Sequence, residues 1–178
     1  EMAAAPIVGS VYGALGLIYY HWNQLEKADE YLHRGIKLGK YSGHNASLVY
    51  CLISRARLLR ARGDLKVAEN TMAEAIDLAQ QGVPVWVRPS LLAERVNLLL
   101  AQGRLREAEA VLKQSGIAAQ DEVTYQTDEI HLAHLRFLYH QGDSFQHAAV
   151  LATRILASAE HSGRKGIALQ TLLLGALI

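Results

Sequence analysis

Few side chains in this sequence have the types and spacing that chemistry needs. Glu129, His131 and His134 fall within one short stretch, with His140 farther along, a set of ligand types that raises the question of a metal centre. A helical zinc pair is His at i and i+4 with a glutamate between, because that spacing puts both rings on one face. His131 and His134 are three apart and enclose only Leu132 and Ala133, so the spacing predicts no metal site. Cys51 is the sole cysteine. Beside Tyr50 in an apolar stretch, with no histidine at a nucleophile-activating spacing, it predicts a packed thiol. The sequence carries no Gly-x-Ser-x-Gly elbow, no phosphate loop and no dinucleotide glycine fingerprint, and acidic residues such as Glu26 and Glu30 are spread over helix surfaces. The expectation is no catalytic residue, no cofactor and no enzyme activity.

Arginine is the other reactive resource. Arg57 and Arg60 lie three apart on one helix face, with Arg55 and Arg62 nearby, forming the strongest local positive patch. A carboxylate or phosphate could be held there; a solvated basic face near a helix C-terminus is the plainer reading, since the macrodipole favours positive charge at that end. Arg55 and Arg95 stand forty residues apart, which suggests one job done twice. A guanidinium with five donors can tie neighbouring carbonyls inside a stack, and that structural account is favoured over anion binding.

Positioning any of these groups needs a fold, and composition bounds it. The 178 residues are 51% hydrophobic and 20% charged, with 18 basic against 17 acidic side chains, a mixture that buries a core and excludes a disordered tail. A net charge of +1 gives no footprint for a phosphate backbone, so direct nucleic-acid binding is not expected. One cysteine permits no internal disulfide and points to a reducing, cytoplasmic setting. The longest apolar run, Leu172 to Ile178, is far short of the roughly 20 residues of a membrane span. The first residues lack a signal-peptide pattern, so no membrane partner is expected. Both ends fall inside apolar helical patterns without cap or stop signals, which reads as a piece of a longer protein.

Only three prolines occur, Pro6, Pro84 and Pro89. Good helix formers dominate, and apolar residues recur three and four apart, as in Leu48, Leu52, Ala56 and Leu59, so the chain is all-α. The turn segments then line up. Asn23-Gln24-Leu25-Glu26-Lys27-Ala28 matches Gly63-Asp64-Leu65-Lys66-Val67-Ala68 and Gly103-Arg104-Leu105-Arg106-Glu107-Ala108; a fourth copy, Gly142 to Ala148, carries one extra residue. The alanines fall at 28, 68, 108 and 148, a period of forty, and the unit reads as helix, tight turn, helix. A second set of breaks, at Gly43, Gly82, Gly116 and Gly163, separates the units. The spacing predicts A helices over 8–22, 46–62, 89–102 and 127–141, B helices over 25–40, 65–81, 105–115 and 145–161, and a fifth A helix from about Gly166. Pro89 fits as the first residue of the third A helix. The architecture expected is one domain over 1–178, a right-handed superhelix (α-solenoid) of about four helix pairs plus the start of a fifth.

Repeat one resembles the tetratricopeptide motif. Tyr12-x-x-Leu15-Gly16-x-x-Tyr19 followed by Ala28-x-x-x-Leu32 parallels W-x-x-L-G-x-x-Y and A-x-x-x-F, although the period exceeds the usual 34. The phrases Leu91 to Ala108 and Gln170 to Ile178 look like the sensor region of bacterial transcription activators of the MalT type, within the LuxR-regulator group. That resemblance covers nearly the whole chain. It implies a regulator with an N-terminal ATPase, a superhelix that senses signals and controls self-association, and a C-terminal helix-turn-helix through which the whole protein binds DNA. A small-molecule effector or a protein partner is then expected on the concave wall of A helices. Projection from the repeat register puts Tyr20, His21, Tyr50, Arg57, Arg60, Ser90, Asn97, Phe137 and His140 on that wall, aromatic bodies for area and polar groups for orientation. The competing expectation is a protein-docking tetratricopeptide scaffold with no small-molecule ligand.

Overall fold

A computed structural model of the chain describes residues 7–142 and 145–177. Among them are nine α-helices and no strand: α1 (Ile7–His21), α2 (Leu25–Ser42), α3 (Asn45–Arg62), α4 (Leu65–Gln80), α5 (Val87–Ala101), α6 (Leu105–Ser115), α7 (Asp128–Gln141), α8 (Phe145–His161) and α9 (Lys165–Gly175). These are the helix pairs that the repeat predicts, with α9 as the fifth A helix. The start that moves most is that of α5, which begins at Val87, where the Val87 and Arg88 amides donate to the carbonyls of Pro84 and Val85. Pro89 still sits in the first turn, where its missing N–H costs no helical bond.

The turns explain the period. Gly63 and Gly103 have φ of +85° and +72°, a conformation nearly closed to residues with a Cβ, and Asn23 fills the equivalent place in the first copy at φ +56°. After each, the next amide reaches back five residues: Gln24 to Tyr19, Asp64 to Leu59 and Arg104 to Leu99, each at 2.9 Å. That is the long bond of a Schellman cap, and it satisfies carbonyls the helix end would leave unpaired. The alanines at 28, 68, 108 and 148 are all fully buried.

The chain divides into two compact units, Glu1–Leu91 and Leu92–Ile178. In the first, α1, α2 and α3 approach closely through small residues. A Cβ on Gly35 would lie 2.7 Å from Cys51 Sγ, and one on Gly16 2.5 Å from Leu32, so these sites admit no side chain without movement. Ala28, Leu32 and Leu58 form a buried cluster flanked by Tyr19 and Tyr20. In the second, α5 and α6 enclose Ala93, Val96, Leu99, Ala108 and Leu112 together with Ile130, Ala133 and Phe137 of α7. A further cluster joins Leu132 and Leu135 of α7 to Ala148, Leu151 and Ile155 of α8. The long α6–α7 connection is pinned to α8: Arg154 donates to the carbonyls of Ala119 at 2.7 Å and Gln120 at 3.0 Å, and also to that of Asp121. Ser158 donates to Val123 O at 2.8 Å.

Candidate functional site

Where the candidate residues stand follows from the turn that ends each A helix. Six residues before Asn23, Gly63, Gly103 and Gly142 come Leu17, Arg57, Asn97 and Arg136; five before come Ile18, Leu58, Leu98 and Phe137. Leu58, Leu98 and Phe137 are 0%, 3% and 7% exposed, so Phe137 is a core residue packed among α5, α6 and α7. Its expected place on the wall of A helices is corrected to Arg136. The register carries the period of forty into the fourth copy, whereas the turn glycines Gly103 and Gly142 are thirty-nine apart, so the projection there runs one residue late. The same shift moves the equivalent of Tyr20 and Arg60 from His140 to Tyr139, and makes His140 the counterpart of His21.

In the second unit these positions converge. Arg136 of α7 donates from Nη1 to Asn97 Oδ1 of α5 at 3.2 Å and from Nη2 to Gln170 Oε1 of α9 at 3.0 Å. One guanidinium thus joins three A helices, a use its rigid fork of donors suits. Asn97 is buried and Arg136 half-buried. One turn on, the Tyr139 and His140 rings meet edge to face at 5.6 Å, and exposed His140 donates from Nδ1 to Arg136 O at 2.8 Å. Arg136, Gln170, Tyr139 and His140 therefore form a mixed polar and aromatic surface over buried Asn97. Arg136 and Gln170 escaped sequence reasoning, although the six-before-turn count would have found the first.

In the first unit, Tyr20 and His21 make the same edge-to-face contact at 5.4 Å at the end of α1. Tyr20 is half-buried against the Leu58 cluster and His21 is exposed. Tyr50 of α3 packs its ring over Gly13 of α1, where a Cβ would come within 2.8 Å. Arg57 and Arg60 of α3 are half-buried. The arginine patch is divided: Arg55 Nε lies 3.2 Å from Asp29 of α2, and Arg62 lies 3.5 Å from Asp29 and 3.6 Å from Glu26. The structural tie expected of Arg55 is thus an ion pair to the neighbouring B helix. Ser90 is half-buried near the start of α5.

The remaining candidates are held by backbone. Fully buried His131 donates from Nδ1 to Thr127 O at 2.8 Å, and His134 from Nε2 to Ile117 O at 2.9 Å. Burial pulls the His134 pKa below its ordinary 6.5. Asp128 Oδ2 sits 3.2 Å from Arg164 Nε; burial raises the Asp128 pKa against the pull of that guanidinium. No group of three or more His, Cys, Asp or Glu among the described residues has the arrangement of a metal site. Cys51 is fully buried, its thiol near Gly9 O at 3.4 Å, and burial pushes its pKa up to about 12. No helix among the described residues is long and apolar enough to cross a membrane.

Comparison with curated proteins and with solved structures gives no match. Comparison with protein families does: the MalT-like TPR region matches residues 1–178. With helix pairs repeating every forty residues, buried alanines at the crossings and the same cap closing successive A helices, the chain belongs to the MalT-like TPR region family.

Proposed function

We propose that this chain is the sensing and protein-interaction region of a bacterial transcription regulator, working without catalysis or a cofactor of its own in the cytoplasm. It takes its effector on the surface of α5, α7 and α9 around Arg136. Family membership supports the regulator, and the observation that carries the site is the Asn97–Arg136–Gln170 bridge. A ligand group that hydrogen-bonds Arg136 acts on a side chain already tied to α5 and α9, while Tyr139 and His140 offer ring faces for its apolar part. Such contacts can favour one arrangement of the helices over another, and a ligand shifts an equilibrium only by its difference in affinity between two states. In the regulator this biases the inactive and active forms.

The test is a thermal-shift screen of water-soluble metabolites against the purified chain, with Arg136→Ala as control. A true effector at about a hundred times its dissociation constant stabilises by about 2.7 kcal/mol, and Arg136→Ala abolishes the shift. An effector that stabilises the variant equally removes the site from this surface. If no metabolite acts and a polypeptide is retained in pull-down, dependent on Arg136 and Tyr139, the chain is a docking scaffold.

A further inference from the structure

The connections that lead from a B helix to the next A helix differ in length. Two residues separate α2 from α3, six separate α4 from α5 and three separate α8 from α9, but twelve, 116–127, separate α6 from α7. Connections of that length are uncommon in compact folds and often carry function. This one is fixed in place by its neighbours. His134 of α7 donates to Ile117 O, Arg154 of α8 gathers the carbonyls of Ala119, Gln120 and Asp121, and Ser158 of α8 donates to Val123 O. Residues 122–125 of the connection, with Ser158, His161, Ser162 and Arg164, line an open cavity of about 520 Å³, a size that suits a small molecule. Because its walls are already bonded in place, a ligand there orders little.

Arg164 supplies the chemistry of the cavity. Its side chain is 15% exposed, its Nε lies 3.2 Å from Asp128 Oδ2, and its Nη2 donates to Ser158 Oγ at 2.6 Å. Nη1 has no partner among the described residues, so part of a planar fork of donors stands unused, and such a fork matches a carboxylate. Charge balance says what else the ligand carries. Asp128 already neutralises Arg164, and exposed Glu122 adds a second carboxylate. A bare anion would add repulsion to a site that is negative in sum, whereas a molecule bearing an ammonium beside its carboxylate answers both charges. Tyr125, 81% exposed, offers a ring face to an apolar substituent.

We infer that this cavity binds a free amino acid, with its carboxylate on Arg164, its ammonium toward Glu122 and its side chain against Tyr125. The site is separate from the Arg136 surface, since none of its lining residues belongs to the Asn97–Arg136–Gln170 bridge. An occupant ties the α6–α7 connection to the turn that begins α9.

The probes are the proteinogenic amino acids, titrated one at a time into the full chain and followed by thermal midpoint and by amide chemical shifts. At least one raises the midpoint saturably and moves the amides of Glu122, Tyr125, Ser162 and Arg164. Its methyl ester, which lacks the carboxylate, and its N-acetyl form, which lacks the ammonium, each bind about tenfold or more weakly. The ester tests Arg164 without removing the guanidinium that buried Asp128 needs. Glu122→Gln, an exposed change, weakens the unmodified amino acid in the same way. No response to any amino acid overturns the assignment. So does an ester or N-acetyl form that binds as well as its parent, or a set of shifts confined to the amides around Arg136. Arg136→Ala leaves this binding intact, which separates a failure here from a failure of the effector site; loss of binding in that variant would move the amino acid to the Arg136 surface.

Discussion

Truncating Phe137 and truncating Arg136 should have opposite consequences, and the pair decides the phase of the fourth repeat. Phe137 is 7% exposed in a cluster with Val96, Leu99, Ala108 and Ile130. Phe137→Ala removes a buried ring and leaves a cavity that helices α5, α6 and α7 can only partly close, a change worth about 3–5 kcal/mol. The second unit holds 87 residues, Leu92 to Ile178. If it unfolds cooperatively, a loss of that size lowers its midpoint by at least about 12 °C, taking roughly 4–8 °C per kcal/mol for domains of this size. Arg136→Ala deletes, among the contacts of a half-buried side chain, its two hydrogen bonds to the neutral amides of Asn97 and Gln170. At about 0.5–1.5 kcal/mol each, its cost is about 1–3 kcal/mol and falls toward the low end because water can replace the guanidinium. Urea unfolding followed by circular dichroism, at matched m-values, measures both. Counting from the alanines would give Arg136 the place of Val96 and Ala56, both fully buried or nearly so. A cost for Arg136→Ala equal to or above that of Phe137→Ala would refute the turn-based register.

Three other outcomes follow from the packing. Folded His134 stays neutral below the pH at which its unfolded form takes up a proton, so the unfolded chain binds more protons there. Its contribution is full above about 6.5 and is lost as pH falls through the window below it; His134→Gln should flatten the decline in urea stability between pH 7.5 and 5.5, and an unchanged slope would count against the burial of the His134 ring. Cys51, with its pKa raised to about 12 and no exposure, should stay unlabelled by a thiol-reactive dye in the native chain and react once per chain in denaturant; rapid native labelling would contradict the packing. In Gly39→Ala the new methyl would lie 2.9 Å from Leu48 Cβ and 3.1 Å from its Cα. Overpacking against backbone costs about 1–3 kcal/mol, partly offset by about 1 kcal/mol of helix propensity, so urea unfolding should show net destabilisation where an open helix position would show a gain.

Much of the fold was legible because the repeat writes its punctuation into the sequence. Gly63 and Gly103 mark places where a left-handed residue ends a helix, and the alanines mark fully buried positions in the first turns of the B helices. The helix bounds therefore fell within two residues, the largest shifts being the later end of α2 and the earlier start of α5, the latter set by two backbone bonds ahead of Pro89. The candidate site was less legible. Phe137 was misplaced because the period of forty, carried into the fourth copy, runs one residue late there, while the count from the turn glycine stays intact. Gln170 could not be matched to Asn97 and Arg136 without a turn after α9 to count from. The carbonyls that Arg154 gathers from the α6–α7 connection lie more than thirty positions away and carry no local signal, since any residue supplies a carbonyl.

The extra residue between Gly142 and Ala148 has a wider consequence. It lengthens one joint, yet the helices on either side keep Phe137 and Ala148 at their buried stations. The same residue gained inside α7 would turn everything beyond it by about 100°, swinging the ring of Phe137 toward water and its neighbours into the vacated space. Growth and loss of chain length are thus affordable at the hinges and ruinous within the rods, so this architecture can drift in repeat length from unit to unit while the spacing of its helices stays fixed.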